Sequence, residues 1–193
     1  MPHRFILARM SKTLETARLL LSEWSENNVA LLARLSGDAR VVRYIGTGER
    51  WSPETAAEVS RAALEHWQAQ GFGWRVALER RSAEPVGFAA LNFVGEGTSG
   101  LGAREVEIGW WLLPSAWGRG FASEAARAMC EEAFTRLGVP SIVARLQPEN
   151  VASARVAKRI GMTHEFETTG RHGEDVAVYR LLASDWAASK VTR

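Results

Sequence analysis

Cysteine is almost missing from this chain. Cys130 stands alone, which excludes an intrachain disulfide and any multi-cysteine metal site. A chain without disulfides fits the reducing cytoplasm, the expected location. Long apolar runs are missing too. Phe5–Ala8 is shorter than the roughly 7–15 residues of a signal-peptide core, and no run approaches the about 20 residues needed to cross a bilayer. No membrane association is therefore expected. Charge of one sign is also scarce. The formal net charge of +2 argues against a nucleic-acid partner, yet leaves room for a local basic patch facing an anionic cofactor. The four histidines, His3, His66, His164 and His172, fall at no metal-ligand spacing, so no metal is expected. No repeat, low-complexity tract or linker divides the chain.

What is there describes a globular protein. The 193 residues, 46% hydrophobic and 24% charged, suit one domain. Residues 1–12 look like a loose leader, with Met10 as an alternative start, and 13–190 form the domain. Leu14–Leu21 is expected to be the first strand. Ser25 is placed to cap a helix over about Glu26–Leu35. Ser52-Pro53-Glu54 opens a second helix, which runs to about Gln70 and stops at Gly71. The period then changes. Trp74–Leu78, Val86–Leu91 and Glu105–Leu113 form three strands, the last two joined by a glycine-rich loop, Gly95–Gly102. A helix over about Phe121–Leu137, a strand over Ser141–Leu146, a helix over Val151–Ile160 and strands near Thr163–Thr169 and Val176–Leu182 complete the order. The expected fold class is α/β, a mixed sheet whose fourth and fifth strands are parallel neighbours, since a helical crossover joins them.

The chemistry concentrates in Trp110-Trp111-Leu112-Leu113-Pro114-Ser115-Ala116-Trp117-Gly118-Arg119-Gly120-Phe121-Ala122-Ser123-Glu124-Ala125-Ala126. A strand runs into a short glycine-bearing turn, and a helix opens at once. Glycine lets backbone approach a ligand, and the helix N-terminus presents free N–H groups to an anion. A phosphate or pyrophosphate is the expected guest. The plainer alternative is a tight strand-to-helix turn. The segment lacks the lysine of a P-loop and the third glycine of a dinucleotide-binding fingerprint.

This segment resembles the GNAT superfamily, in particular the branch that acetylates ribosomal-protein N-termini. Gly120-Phe121-Ala122 matches the second half of the family's phosphate loop, and Trp117 stands where many members have Gln or Arg. The resemblance extends to the opening Leu14-Glu15-Thr16-Ala17-Arg18-Leu19-Leu20-Leu21, to Asn150-Val151-Ala152-Ser153 with Gly161-Met162, and to Tyr179-Arg180-Leu181-Leu182 with Trp186. It implies a single-domain, mostly antiparallel sheet with splayed parallel fourth and fifth strands, flanked by helices. It also implies acetyl-CoA as cosubstrate and transfer of its acetyl group to a primary amine. The acceptor, a protein N-terminus or a small-molecule amine, stays open, and a homodimer is possible.

By the same resemblance, Trp117, Gly118, Arg119, Gly120, Phe121 and Ala122 would bind the cofactor's phosphates, with Arg119 supplying charge. The backbone near Trp111 or Leu112 would meet the oxyanion, and Asn150 would contact the pantetheine arm, or only cap its helix. Many relatives carry a tyrosine acid where this chain has Ala157, so Ser153 becomes the candidate acid. Glu107 is the candidate general base, with Glu105 on the same strand face. An alkyl ammonium titrates near about 10.4 and an α-amino group near about 8, so the former needs more help to lose its proton. His172, with Arg171, Glu174 and Asp175, falls in a turn expected to shape the acceptor pocket. The alternative function is a non-catalytic acyl-CoA-binding sensor on the same fold.

Overall fold

The computed structural model describes residues 13–191; the expected leader over 1–12 lies outside the described residues. The period-two runs assemble into one eight-stranded sheet. Its strands are β1 (Leu14–Glu15), β2 (Leu19–Glu23), β3 (Trp74–Glu79), β4 (Pro85–Phe93), β5 (Val106–Leu112), β6 (Ser141–Leu146), β7 (Thr163–Thr169) and β8 (Asp175–Leu182). They lie in the order β1-β2-β3-β4-β5-β6-β8-β7. Every neighbouring pair is antiparallel except β5 and β6. The α/β class and the parallel pair are as expected.

Helices cover both faces. On one side lie α1 (Val29–Ser36), α2 (Ala39–Val42) and α3 (Pro53–Gln70). The Ser52 hydroxyl accepts the Thr55 N–H, and Gly71 closes α3 in the left-handed region at φ 72°, both as the cap residues imply. Leu31, Leu32, Leu35 and Ala56 pack there against Val76, Phe88 and Ala90. On the other side, α4 (Phe121–Glu131) and α5 (Val151–Arg159) follow β5 and β6. Ala126 and Met129 pack there against Leu19, Leu91, Ile108 and Ile142. A fully buried Leu or Ile of this kind contributes about 1.5–3 kcal/mol.

Three local expectations need correction. The strand expected over Leu14–Leu21 is broken by a turn at 16–18. The Thr16 N–H and hydroxyl both reach the Leu19 carbonyl, while the same hydroxyl and the Arg18 N–H bond to Glu124. The helix expected to run to Leu137 widens over Glu132–Arg136 into a π turn, with the Leu137 N–H bonding to the Glu132 carbonyl. That turn carries Glu132 inward to Arg75, and both side chains are only 2% exposed. The short α2 and the closing helix α6 (Ala183–Val191) were not expected from the pattern.

One irregularity positions everything that follows. β5 and β6 pair only at Val106 with Ile142 and at Glu107 with Val143. Beyond Glu107 the two strands part.

Candidate active site at the strand opening

The opening exposes backbone that a central strand would normally satisfy. The Leu113 N–H bonds to the Val86 carbonyl, and the Glu105 carbonyl accepts the Val94 N–H. The register between β4 and β5 is unbroken from Gly87–Leu112 to Phe93–Val106, so β5 shows no bulge against β4. Strand alternation therefore turns the polar groups of 105, 107, 109, 111 and 113 toward β4, and those of 106, 108, 110 and 112 toward β6. Two observations agree. A Cβ on Gly87 would lie 2.1 Å from the Trp111 carbonyl oxygen, and the Leu112 carbonyl accepts the Trp117 indole N–H at 2.8 Å from within the opening. Of Trp111 and Leu112, it is Leu112 that turns its N–H into the gap.

On one face of the gap sits the N-terminus of α4. Gly118 and Gly120 adopt φ 72° and 80°, conformations that cost an L-residue free energy. The first N–H groups of α4 have no intrahelical acceptor. Ser123, in the first turn, has a buried hydroxyl without a partner, and it lines neither of the two cavities described below. Charged side chains frame the turn but are already engaged. Arg119 pairs with Glu79 and lies 4.4 Å from the Phe121 ring centre. Its guanidinium holds the Glu79 carboxyl below its usual range. Arg18 lies 4.8 Å from the same ring centre, bonds to the Arg119 carbonyl at 2.8 Å and to Glu124 at 2.7 Å. Trp117 is 48% exposed. Gly120 opens onto a cavity of about 560 Å³ that Arg127, Lys158 and Arg159 also line.

On the other face lies a cavity of about 520 Å³. Glu107, Trp111, Asn150 and Ser153, far apart in sequence, all line it. Glu107 is held by Arg145 through two bonds, Nε to Oε1 at 3.0 Å and Nη2 to Oε2 at 2.7 Å, and Arg145 also donates to the Thr98 hydroxyl at 2.6 Å. Arg145 thus ties β6 to the last paired residue of β5. Burial works against the Arg145 charge, but the Glu107 carboxylate outweighs it and raises the guanidinium's pKa above its usual range. Glu105, on the same face as Glu107, is bonded to Arg180 at 2.7 Å instead. Asn150 caps α5, its side chain accepting the Ser153 N–H at 3.1 Å. Ala157 is fully buried.

Segments distant in sequence complete this cavity. The Gly46 carbonyl accepts the Gln147 side-chain N–H at 2.8 Å. A Cβ on Gly46 would come within 3.2 Å of the His172 ring. The His172 N–H in turn bonds to the Glu174 carboxylate at 2.8 Å. His172 does reach this cavity, as does Glu174, while Asp175 does not line it. Trp117, Gly118, Arg119, Phe121, Ala122 and Leu112 line neither of the two cavities. Arg145, Thr98, Gln147 and Trp51 were missed. A lone arginine within the otherwise apolar run Ile142-Val143-Ala144 was the one available signal for Arg145.

Against known proteins, residues 18–163 match the model of the acetyltransferase (GNAT) domain. The chain belongs to the GNAT acetyltransferases, enzymes of the N-acyltransferase class. An uncharacterized N-acetyltransferase, YnaD of Bacillus subtilis, is 30% identical over 176 residues, covering 89% of this chain and 97% of YnaD. An acetyltransferase of Agrobacterium tumefaciens superposes with TM-score 0.75 at 30% identity over 88% of this chain and 94% of its own. RimL, the ribosomal L7/L12 α-N-protein acetyltransferase solved with coenzyme A, shares the fold with TM-score 0.72 at 20% identity, over 89% and 98% of the two chains.

Proposed function

We propose that this protein transfers the acetyl group of acetyl-CoA to a primary amine. The observation that carries the reading is the opening past Glu107, which joins an anion-receptive helix N-terminus on one face to an aromatic and polar cavity on the other. Acetyl-CoA supplies a thioester. The amine nitrogen bonds to its carbonyl carbon, the C–S bond breaks, the nitrogen loses a proton and the sulfur gains one.

The chain's own groups divide that work. Backbone N–H groups across Gly118–Ser123 hold phosphate oxygens. The Leu112 N–H stabilises negative charge on the carbonyl oxygen. Glu107 takes the amine proton, directly or through water, on lone pairs that Arg145 leaves free. The Ser153 hydroxyl gives a proton to the departing sulfur, in place of a tyrosine that the buried Ala157 position does not provide. Lys158 and Arg159 line the cavity beyond Gly120 and add positive charge near the phosphates.

Calorimetric titration of acetyl-CoA into the native protein and a Gly120→Glu variant, followed by thiol release with a panel of amines, tests this. Binding lost in the variant, and turnover with at least one amine, is the expected result. Binding without turnover on any amine would instead identify an acyl-CoA sensor. No binding to native protein would overturn both.

A further inference from the structure

Five aromatic side chains form a continuous ladder that ends in the amine-side cavity. Trp24 meets Trp74 edge-on at 5.2 Å, Trp74 stacks on Phe88 at 4.4 Å with planes 8° apart, and Phe88 meets Trp111 at 5.5 Å. Trp111 then meets Trp51 at 5.2 Å, tilted by 57°. The inner rungs are fixed by polar contacts. The Trp24 indole N–H donates to the Ser60 hydroxyl at 2.9 Å, and that of Trp74 to the Asn92 side chain at 3.0 Å. The Trp51 backbone N–H bonds to the Ser36 carbonyl at 3.1 Å. Trp51 and Trp111 line the cavity, and neither indole N–H has a partner among the described residues.

Two half-exposed indoles with open N–H groups, backed by a rigid stack, are a surface prepared for a ring or a large apolar group. The charges of the cavity point the same way. Glu107 is paired with Arg145, while Glu174 accepts the His172 backbone N–H and keeps its charge. Arg50 stands beside Glu49, and Arg171 adds another cation. The three lining carboxylates, Glu49, Glu107 and Glu174, are matched in number by Arg50, Arg145 and Arg171, so the cavity carries no excess of negative charge to favour a polyamine.

We infer that the acceptor is an amine borne next to an aromatic or large apolar group, which stacks on Trp51 and Trp111. This rests on the acetyltransferase reading above. A free amino compound and a peptide N-terminus share that chemistry.

The test compares L-phenylalaninamide, a peptide beginning with phenylalanine, glycinamide and spermidine by thiol release from acetyl-CoA. The aromatic amines should exceed glycinamide and spermidine in kcat/KM by roughly 10-fold or more. Preference between the two aromatic amines identifies the source. In Trp51→Ala the aromatic-to-glycinamide ratio should fall toward one, whereas Trp51→Phe should keep most of it; melting temperatures verify folding. Equal or better use of glycinamide or spermidine by the native protein overturns the inference, as does a Trp51→Ala variant whose ratio is unchanged. If no amine turns over, thermal shifts with N-acetyl-phenylalaninamide and N-acetylglycinamide in the presence of CoA still decide it. A larger shift with the aromatic compound upholds the wall while the catalytic reading fails; equal shifts overturn the wall as well.

Discussion

The two faces of the strand opening are built in opposite ways. The α4 face comes from one contiguous stretch, a strand, two left-handed glycines and a helix start. The amine-side cavity is gathered from four separated segments, 44–55, 107–111, 145–153 and 171–176. A grip made of backbone N–H groups needs only local geometry, so it can be encoded in a few consecutive residues. A pocket that selects an acceptor needs side chains from many directions. One fold can thus hold its cofactor grip constant while its loops alter the acceptor.

That contrast can be broken most directly at Gly120. Its φ of 80° strains any residue with a side chain, and an added Cβ would lie 3.3 Å from the Arg18 guanidinium, which would have to give way slightly. Gly120→Glu is expected to weaken acetyl-CoA affinity by about 100-fold or more, because like charge and backbone strain act together. Titration calorimetry measures it. Equal weakening by an amine-side substitution would erase the distinction between the faces.

Arg145→Met tests the opposite face. It removes both bonds to Glu107 and the bond to Thr98, and leaves a carboxylate alone where the strands part. The expected result is a roughly 10-fold or greater loss of kcat/KM for the amine, with less than a threefold change in acetyl-CoA affinity. Ser153→Ala should be milder still in binding, lowering kcat by about 10-fold while both affinities hold, as steady-state kinetics would show.

The smallest effect concerns acid stability and falls on neither face. Burial pushes the Glu132 carboxyl up, but Arg75 and Arg136 outweigh it and bring it below its usual range. A group depressed in the folded state stabilises the protein above its unfolded pKa, about 4.3 for glutamate, and that contribution is lost as pH falls further. The urea midpoint should therefore drop below about pH 4.3. Glu132→Gln should flatten that dependence without changing how acetyl-CoA affinity compares between the faces.

The same contrast explains what the sequence made legible. The parallel pair, the caps of α3 and the turn before α4 follow from period, proline, glycine and crossover length, all local signals. The break at 16–18 did not, because Glu124, more than 100 residues away, accepts the bonds that set it. The π turn escaped notice for a similar reason, since Arg75 and Glu132 meet only in the folded core. Among candidate site residues, Glu107, Asn150 and Ser153 do converge on one cavity, whereas Arg119 extends to Glu79. Trp51 carried no pattern of its own, and Arg145 only its place beside an apolar run; their position depends on which strands separate.

The parted strands have a consequence for the solvent. Strand β5 is central in the sheet, yet beyond Glu107 only one of its two backbone margins is paired. Its amide protons should therefore split by parity when the protein is placed in deuterium oxide. Those of Gly109 and Trp111, locked to β4, should exchange slowly, and those of Trp110 and Leu112 quickly. A ligand threaded through the gap would slow the second set and so report its presence one amide at a time.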